Sequence, residues 1–189
     1  HAVPPHPVLR GWSHAMSFPL MATFGLLLVF ATDVSTGGRV LLAVYVVGTC
    51  TMFGASAMYH RVRWQTRARS LMQRVDRSAI FLAIAGGYTP VTWVCLDGAA
   101  RAAVLATVWS GAVLGIAFNW LPRVHRAAKG ASFIVVGWVA VTVLPRLAEA
   151  LGTAGFVLIL CGGIAYTLGA ICFALRRPDP WPRVFGFHE

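Results

Sequence analysis

The sequence predicts an all-α membrane protein, a multi-helix transmembrane bundle, and three observations carry that prediction. Hydrophobic residues make up 58% of the chain and charged residues only 12%, about half the charged share of a soluble domain. Six stretches run almost free of Asp, Glu, Lys and Arg, as they must where an ionisable group at the bilayer centre costs about 2.5–3.5 kcal/mol. The basic residues gather in alternate connections between those stretches, the pattern that multi-pass insertion produces. The 189 residues read as one domain, 1–189, with room for six or seven crossings of about 20 apolar residues each.

The spans fall at about 12–32, 40–60, 76–96, 101–121, 129–147 and 151–175. The fifth has the shortest charge-free core, and it reaches full length by letting Lys129 or Arg146 extend its charge to the interface. Paired or spaced glycines such as Gly86-Gly87 and Gly162-Gly163 suit close helix packing. Pro90 inside the third span is expected to sit as a tolerated kink.

Orientation follows from the arginines. Arg10, the cluster Arg61, Arg63, Arg67, Arg69, Arg74 and Arg77, then Arg123, Arg126 and Lys129, and the tail with Arg176, Arg177 and Arg183 place 13 of 16 basic residues on one side. Arg39, Arg101 and Arg146 lie in loops that each carry one acid, Asp33, Asp97 or Glu149. The expectation is a multi-pass protein of the plasma (inner) membrane with its N-terminus in the cytoplasm. Topology also accounts for the net charge of +10 and the pI near 10.8, which in a soluble chain would suggest nucleic acid. No stacking platform accompanies the charge, so the expected partners are membrane lipids and not nucleic acid; the oligomeric state is left open.

Cys50, Cys95, Cys161 and Cys172 sit in or beside apolar spans without C-x-x-C spacing, and they read as small hydrophobes, not metal ligands. The start His1-Ala2-Val3-Pro4-Pro5-His6 has no charged region leading into a short apolar one and no initiator Met. It is therefore not a cleavable secretory signal, and the expectation is a segment of a longer polypeptide.

Chemistry is expected where polar residues meet the ends of spans. Ser56 and His60 are four apart on one helix face at the end of span two. Asp76 begins span three, His14 begins span one, and His188 nearly closes the chain, all on the basic side. Imidazoles with a carboxylate at one depth suit zinc, which takes neutral nitrogen ligands and an acid that orients water. The same residues have plainer readings: His60 as an interfacial histidine, Asp76 as a helix cap paired with an arginine, and Ser56 bonded back to a helix carbonyl.

The segment Ser56-Ala57-Met58-Tyr59-His60-Arg61 with Trp64, and the run Asp76-Arg77-Ser78-Ala79-Ile80-Phe81 continuing to Gly86-Gly87-Tyr88-Thr89-Pro90, resemble the hemolysin III family. The resemblance extends to Gly186-Phe187-His188-Glu189. That family is related to the progestin and adiponectin receptors and, distantly, to the alkaline ceramidases.

The resemblance implies seven helices and a zinc ion near the cytoplasmic face, held by one histidine of helix two and an H-x-x-x-H pair at the start of helix seven. His60 matches the first ligand and His188 the first of the pair. Asp76 matches the acid beside the zinc-bound water, Ser56 the serine of the polar cluster, and His14 more loosely a histidine at the start of helix one. The second histidine of the pair and helix seven would lie beyond Glu189. Six spans of an expected seven are thus present, the zinc site is incomplete in this chain, and substoichiometric zinc is expected of it. Three functions follow from the resemblance: a zinc-dependent lipid amide hydrolase using Asp76 and Ser56, a non-enzymatic sensor or regulator of membrane lipid state, and a pore-forming hemolysin. Six resident spans with basic loops on one side speak least for the last.

Overall fold

In the computed structural model, residues 7–122 and 124–188 are described. Arg123 and Glu189, assigned above to the basic side and the family motif, lie outside the described residues, as do the first six. Helix α1 spans Trp12–Ala31, α2 Thr36–Arg61, α3 Thr66–Cys95 and α4 Gly98–Trp120. Helix α5, Arg126–Gly137, passes into a 3₁₀ segment, Trp138–Val143, and then into α6, Leu144–Leu175. The only β-pairing among the described residues is an isolated bridge between Trp181 and Phe185.

The first four helices pack as antiparallel neighbours. A methyl group on Gly48 of α2 would lie 2.6 Å from the Leu82 carbonyl of α3, and one on Gly86 would lie 3.0 Å from the Val44 carbonyl. The two backbones therefore touch where only glycine allows it. Beyond that crossing, Phe81 and Ala85 of α3, Val108 and Ala112 of α4 and Val136 of α5 form the buried core, with the Phe133 ring 4.6 Å from that of Phe81.

Five helical stretches of the described residues are long and apolar enough to cross a membrane, and the fifth, Ala128–Leu175, runs 48 residues. One crossing needs about 20. The long stretch turns back at Gly152, whose φ of 63° and ψ of 179° break the helix in a region open to glycine. Gly137 and Tyr166, nearly equidistant from that break, meet across it: a methyl group on Gly137 would lie 3.2 Å from the Tyr166 ring. The two ends of the described chain also meet: the Val8 and Leu9 amides donate to the Arg183 and Val184 carbonyls at 3.0 and 3.1 Å. Where the sequence reading expected six spans, five stretches of the described residues have the length and hydropathy of a crossing, the fifth folded at Gly152 into two arms.

Two details differ from the sequence reading. Helix α3 begins ten residues before position 76, because arginine is a good helix former and the turns carrying Arg67 and Arg69 are exposed beyond the apolar span. The fifth span is not one regular helix but α-helix followed by 3₁₀ turns. Tyr88 stabilises that change: its hydroxyl donates to the Gly137 carbonyl at 2.7 Å and accepts the Ala140 amide at 2.6 Å. Tyr88→Phe is expected to strand both groups away from water and to cost about 1–3 kcal/mol. Denaturant titration in detergent micelles checks this; an unchanged midpoint would show that the break needs no support.

Apolar side chains left outside this core, such as Leu158 and Leu175 of α6 at 74% and 68% exposed, face outward as a bilayer requires. Antiparallel packing brings the start of α1, the end of α2, the start of α3, the end of α4 and the end of α6 to one end of the bundle. Arg10, Arg61, Arg67, Arg74, Lys129 and Arg176 all stand there.

Candidate metal centre at the basic end of the bundle

The last two turns of α2 carry Ser56 and His60 on one face, as their spacing requires. Ser56 is buried and His60 half-buried. The α2 terminus is closed by the Val62 amide and the Trp64 indole N–H, which donate to the Met58 carbonyl at 3.1 and 2.9 Å. The four residues 62–65 then return the chain into α3, and Gln73 donates to the Tyr59 hydroxyl at 2.9 Å. That strap sets Asp76, one turn further along α3, near enough to Ser56 for the hydroxyl to act on its carboxylate. Asp76 thus stands well inside α3 and does not cap it.

The charges of Arg77 and Arg10 both act on the Asp76 carboxylate. Arg10 also reaches α2, where its Nε donates to His60 Nδ1 at 3.2 Å. It comes this close because Gly11 has a left-handed φ of 76°, and a methyl group there would lie 2.6 Å from the His60 Cβ. Trp12 continues the contact, with the Arg61 guanidinium 4.2 Å above its ring. Gly11→Ala adds both a backbone penalty of about 1–2 kcal/mol and that collision. It is expected to push the N-terminal strap off His60, read as increased protease cleavage before Trp12; unchanged cleavage would count against a tight strap.

His188 arrives from the other end of the chain. After α6 the tail folds on itself: the Phe187 amide donates to the Asp179 carboxylate at 3.0 Å, and Trp181 and Phe185 exchange backbone hydrogen bonds. The His188 ring comes to 4.5 Å from the His60 ring, edge to face at 71°, with Phe173 behind it at 5.8 Å. Ser56, His60, Asp76 and His188 are therefore assembled at one end of the bundle, linked through Arg10. His14 stands apart, packed edge-on against Phe53 at 5.4 Å, about two helical turns from His60.

Sequence reasoning counted Arg10 only as a topological charge. It also passed over Asn119, whose buried amide donates to the Arg74 carbonyl and the Ser78 hydroxyl at 3.0 and 3.1 Å. Together with Lys129, which caps the Asn119 and Leu121 carbonyls at 2.8 Å, Asn119 braces α3 two residues from Asp76. A lone asparagine in a charge-free span was the available signal.

Comparison with known proteins adds the lineage. The family model described as "Haemolysin-III related" matches residues 4–189. The chain belongs to the hemolysin III family. Its relatives include Hemolysin-3 of Bacillus cereus, 32% identical over 172 residues, covering 90% of this chain and 77% of that protein. The Hemolysin-3 homolog of Bacillus subtilis (strain 168) is 27% identical over 173 residues, covering 90% and 79%.

In chemistry, the donor set of this family member suits zinc: two adjoining imidazoles with a carboxylate at the same end of the bundle. In number it falls short, since no group of three metal-ligating side chains is assembled among the described residues. Arg10 defines the arrangement further. A neutral imidazole that accepts at Nδ1 carries its proton on Nε2, so neither nitrogen of His60 can ligate while Arg10 donates to it. Arg10 and a metal ion compete for His60. Arg10→Gln removes a charge-assisted bond worth about 1.5–3 kcal/mol and is expected to raise zinc affinity about tenfold or more, measured by competition with a chromophoric chelator. Lowered affinity would mean that Arg10 supports the ligand and does not mask it.

Proposed function

We propose that this hemolysin III-family protein has its basic end in the cytoplasm, holds zinc with His60 and His188, and hydrolyses amide bonds of membrane lipids. The observation that carries the reading is the meeting of the His60 and His188 rings, 4.5 Å apart, at the end of the bundle where Ser56 acts on the Asp76 carboxylate. The family pattern asks for a further histidine four positions after His188, beyond the described residues. When bound, zinc supplies a Lewis acid that acidifies water and polarises an acyl carbonyl.

The chain's own residues do the rest. Asp76 is the general base: its carboxylate accepts the proton of the attacking water and returns it to the leaving amine. Ser56 has a single proton, and directing it to the Asp76 carboxylate orients the base. A role for Ser56 as donor to the developing oxyanion requires that bond to break. The substrate is a lipid with its acyl chain among the exposed apolar side chains of the helices and its amide at the level of His60.

Zinc-dependent release of fatty acid from a lipid amide by purified protein in nanodiscs, lost with chelator and regained with zinc, tests the reading. Zinc retention without release would favour the regulatory alternative, in which zinc staples the C-terminal tail to α2. That alternative draws on the pairing of the tail with the N-terminal strap. Lysis of cells by added protein would favour a pore. Orientation has its own test: in a cysteine-free background, an impermeant reagent applied to intact cells is expected to label Thr36→Cys and not Arg67→Cys. The reverse pattern would invert the topology.

A further inference from the structure

The two chain ends build a small module beyond the helix ends that the zinc reading does not use. The Val184 and Phe185 amides donate to the Trp181 carbonyl, both at 2.8 Å, and Trp181 donates to the Phe185 carbonyl at 3.2 Å. Asp179 takes the Phe187 amide, while Val8 and Leu9 pair with Arg183 and Val184. The backbone of the turn is therefore largely satisfied from within, which is what a segment needs in order to leave water.

Its surface is apolar where it projects. Trp181 is 68% exposed, Val8 67% and Val184 48%, with Leu9 and Phe185 each at 41%. These residues are not on the helix faces that meet hydrocarbon, since they lie before α1 and after α6. Around them stand the exposed Arg176, Arg177 and Arg183. Tryptophan with arginine just outside the end of a crossing is the composition of the headgroup layer, where the indole sits at the interface and guanidinium meets phosphate.

We propose that this module is an anchor for anionic lipid headgroups of the leaflet in which α6 ends. Trp181, Val184 and Phe185 enter the interface, and the three arginines hold phosphates of a negatively charged surface. The partner is chosen by charge complementarity: three exposed arginines lie in the same segment as the apolar residues, and Asp179, the one acid described in that segment, is engaged by its own turn. Because the same segment carries His188 against His60, seating it on the surface also fixes where that histidine stands. The anchor itself does not depend on bound zinc.

Val184→Cys in a background free of the four native cysteines, labelled with an environment-sensitive fluorophore, provides the test. The labelled protein is placed in nanodiscs of phosphatidylcholine alone or mixed with phosphatidylglycerol. Emission is expected to be roughly twofold higher with phosphatidylglycerol and to be quenched by a shallow lipid nitroxide. The gain is expected to shrink at high salt and to vanish in the R176Q/R177Q/R183Q variant. The gain is expected to persist in chelator, so that loss of the zinc site and loss of the anchor are separately visible. Equal, unquenched emission in both lipids would overturn the proposal and turn the patch over to a protein partner. A gain that survives both salt and the triple variant would overturn the role of the arginines.

Discussion

His60→Ala is expected to abolish zinc retention while leaving the helix bundle folded. His60 is half-buried in the last turn of α2, against Arg10, Gly11, Tyr59 and His188 at the basic end, and it does not belong to the core around Phe81. Truncation therefore removes a ligand and little packing. The loss is expected to exceed the 10–100-fold change that residues supporting a ligand produce. Metal analysis after purification, with circular dichroism for the bundle, checks it. Full zinc in this variant would return His60 to the plainer role of an interfacial histidine.

Asp76→Asn is expected to lower lipid amide hydrolysis by about 10²–10⁴, the usual contribution of a positioned general base, with a smaller fall in zinc affinity, about 10–100-fold. Asparagine keeps the shape and can still hydrogen-bond to Ser56, but it cannot accept a proton. The split between turnover and metal retention separates the base from a structural residue. Turnover unchanged in this variant would show that the carboxylate serves only to hold α2 against α3.

The spans were legible because hydrocarbon penalises charge so heavily that charge-free runs mark the crossings: α1 at Trp12–Ala31 and α4 at Gly98–Trp120 lie within three residues of their expected bounds. Helices outside the bilayer leave no such mark, and the arginine-rich turns from Thr66 to Asp76 read as loop for that reason. The shared face of Ser56 and His60 was expected from their i, i+4 spacing, and the short connection into α3 brings Asp76 to the same end of the bundle. The 3₁₀ segment at Trp138–Val143 was not. It depends on the Tyr88 hydroxyl, which lies about fifty residues away in sequence, and Pro145 just beyond it reads from sequence only as the end of a span. The contact of Arg10 with His60 has the same character: it needs a left-handed Gly11 and a strap held by Arg183 and Val184, and neither follows from local pattern. The roles of His60, His188, Asp76 and Ser56 come from family resemblance and chemistry, to which the structure adds their proximity.

The most direct test of a zinc centre built on His60 and His188 is X-ray absorption at the zinc edge of the zinc-loaded protein in bilayers. The expected spectrum has a first shell of nitrogen and oxygen at about 2.0–2.1 Å, with imidazole scattering from two rings that falls to one in His188→Ala, while His60→Ala retains no zinc edge to measure. A shell containing sulfur, or one of oxygen alone that is indifferent to both substitutions, would contradict it.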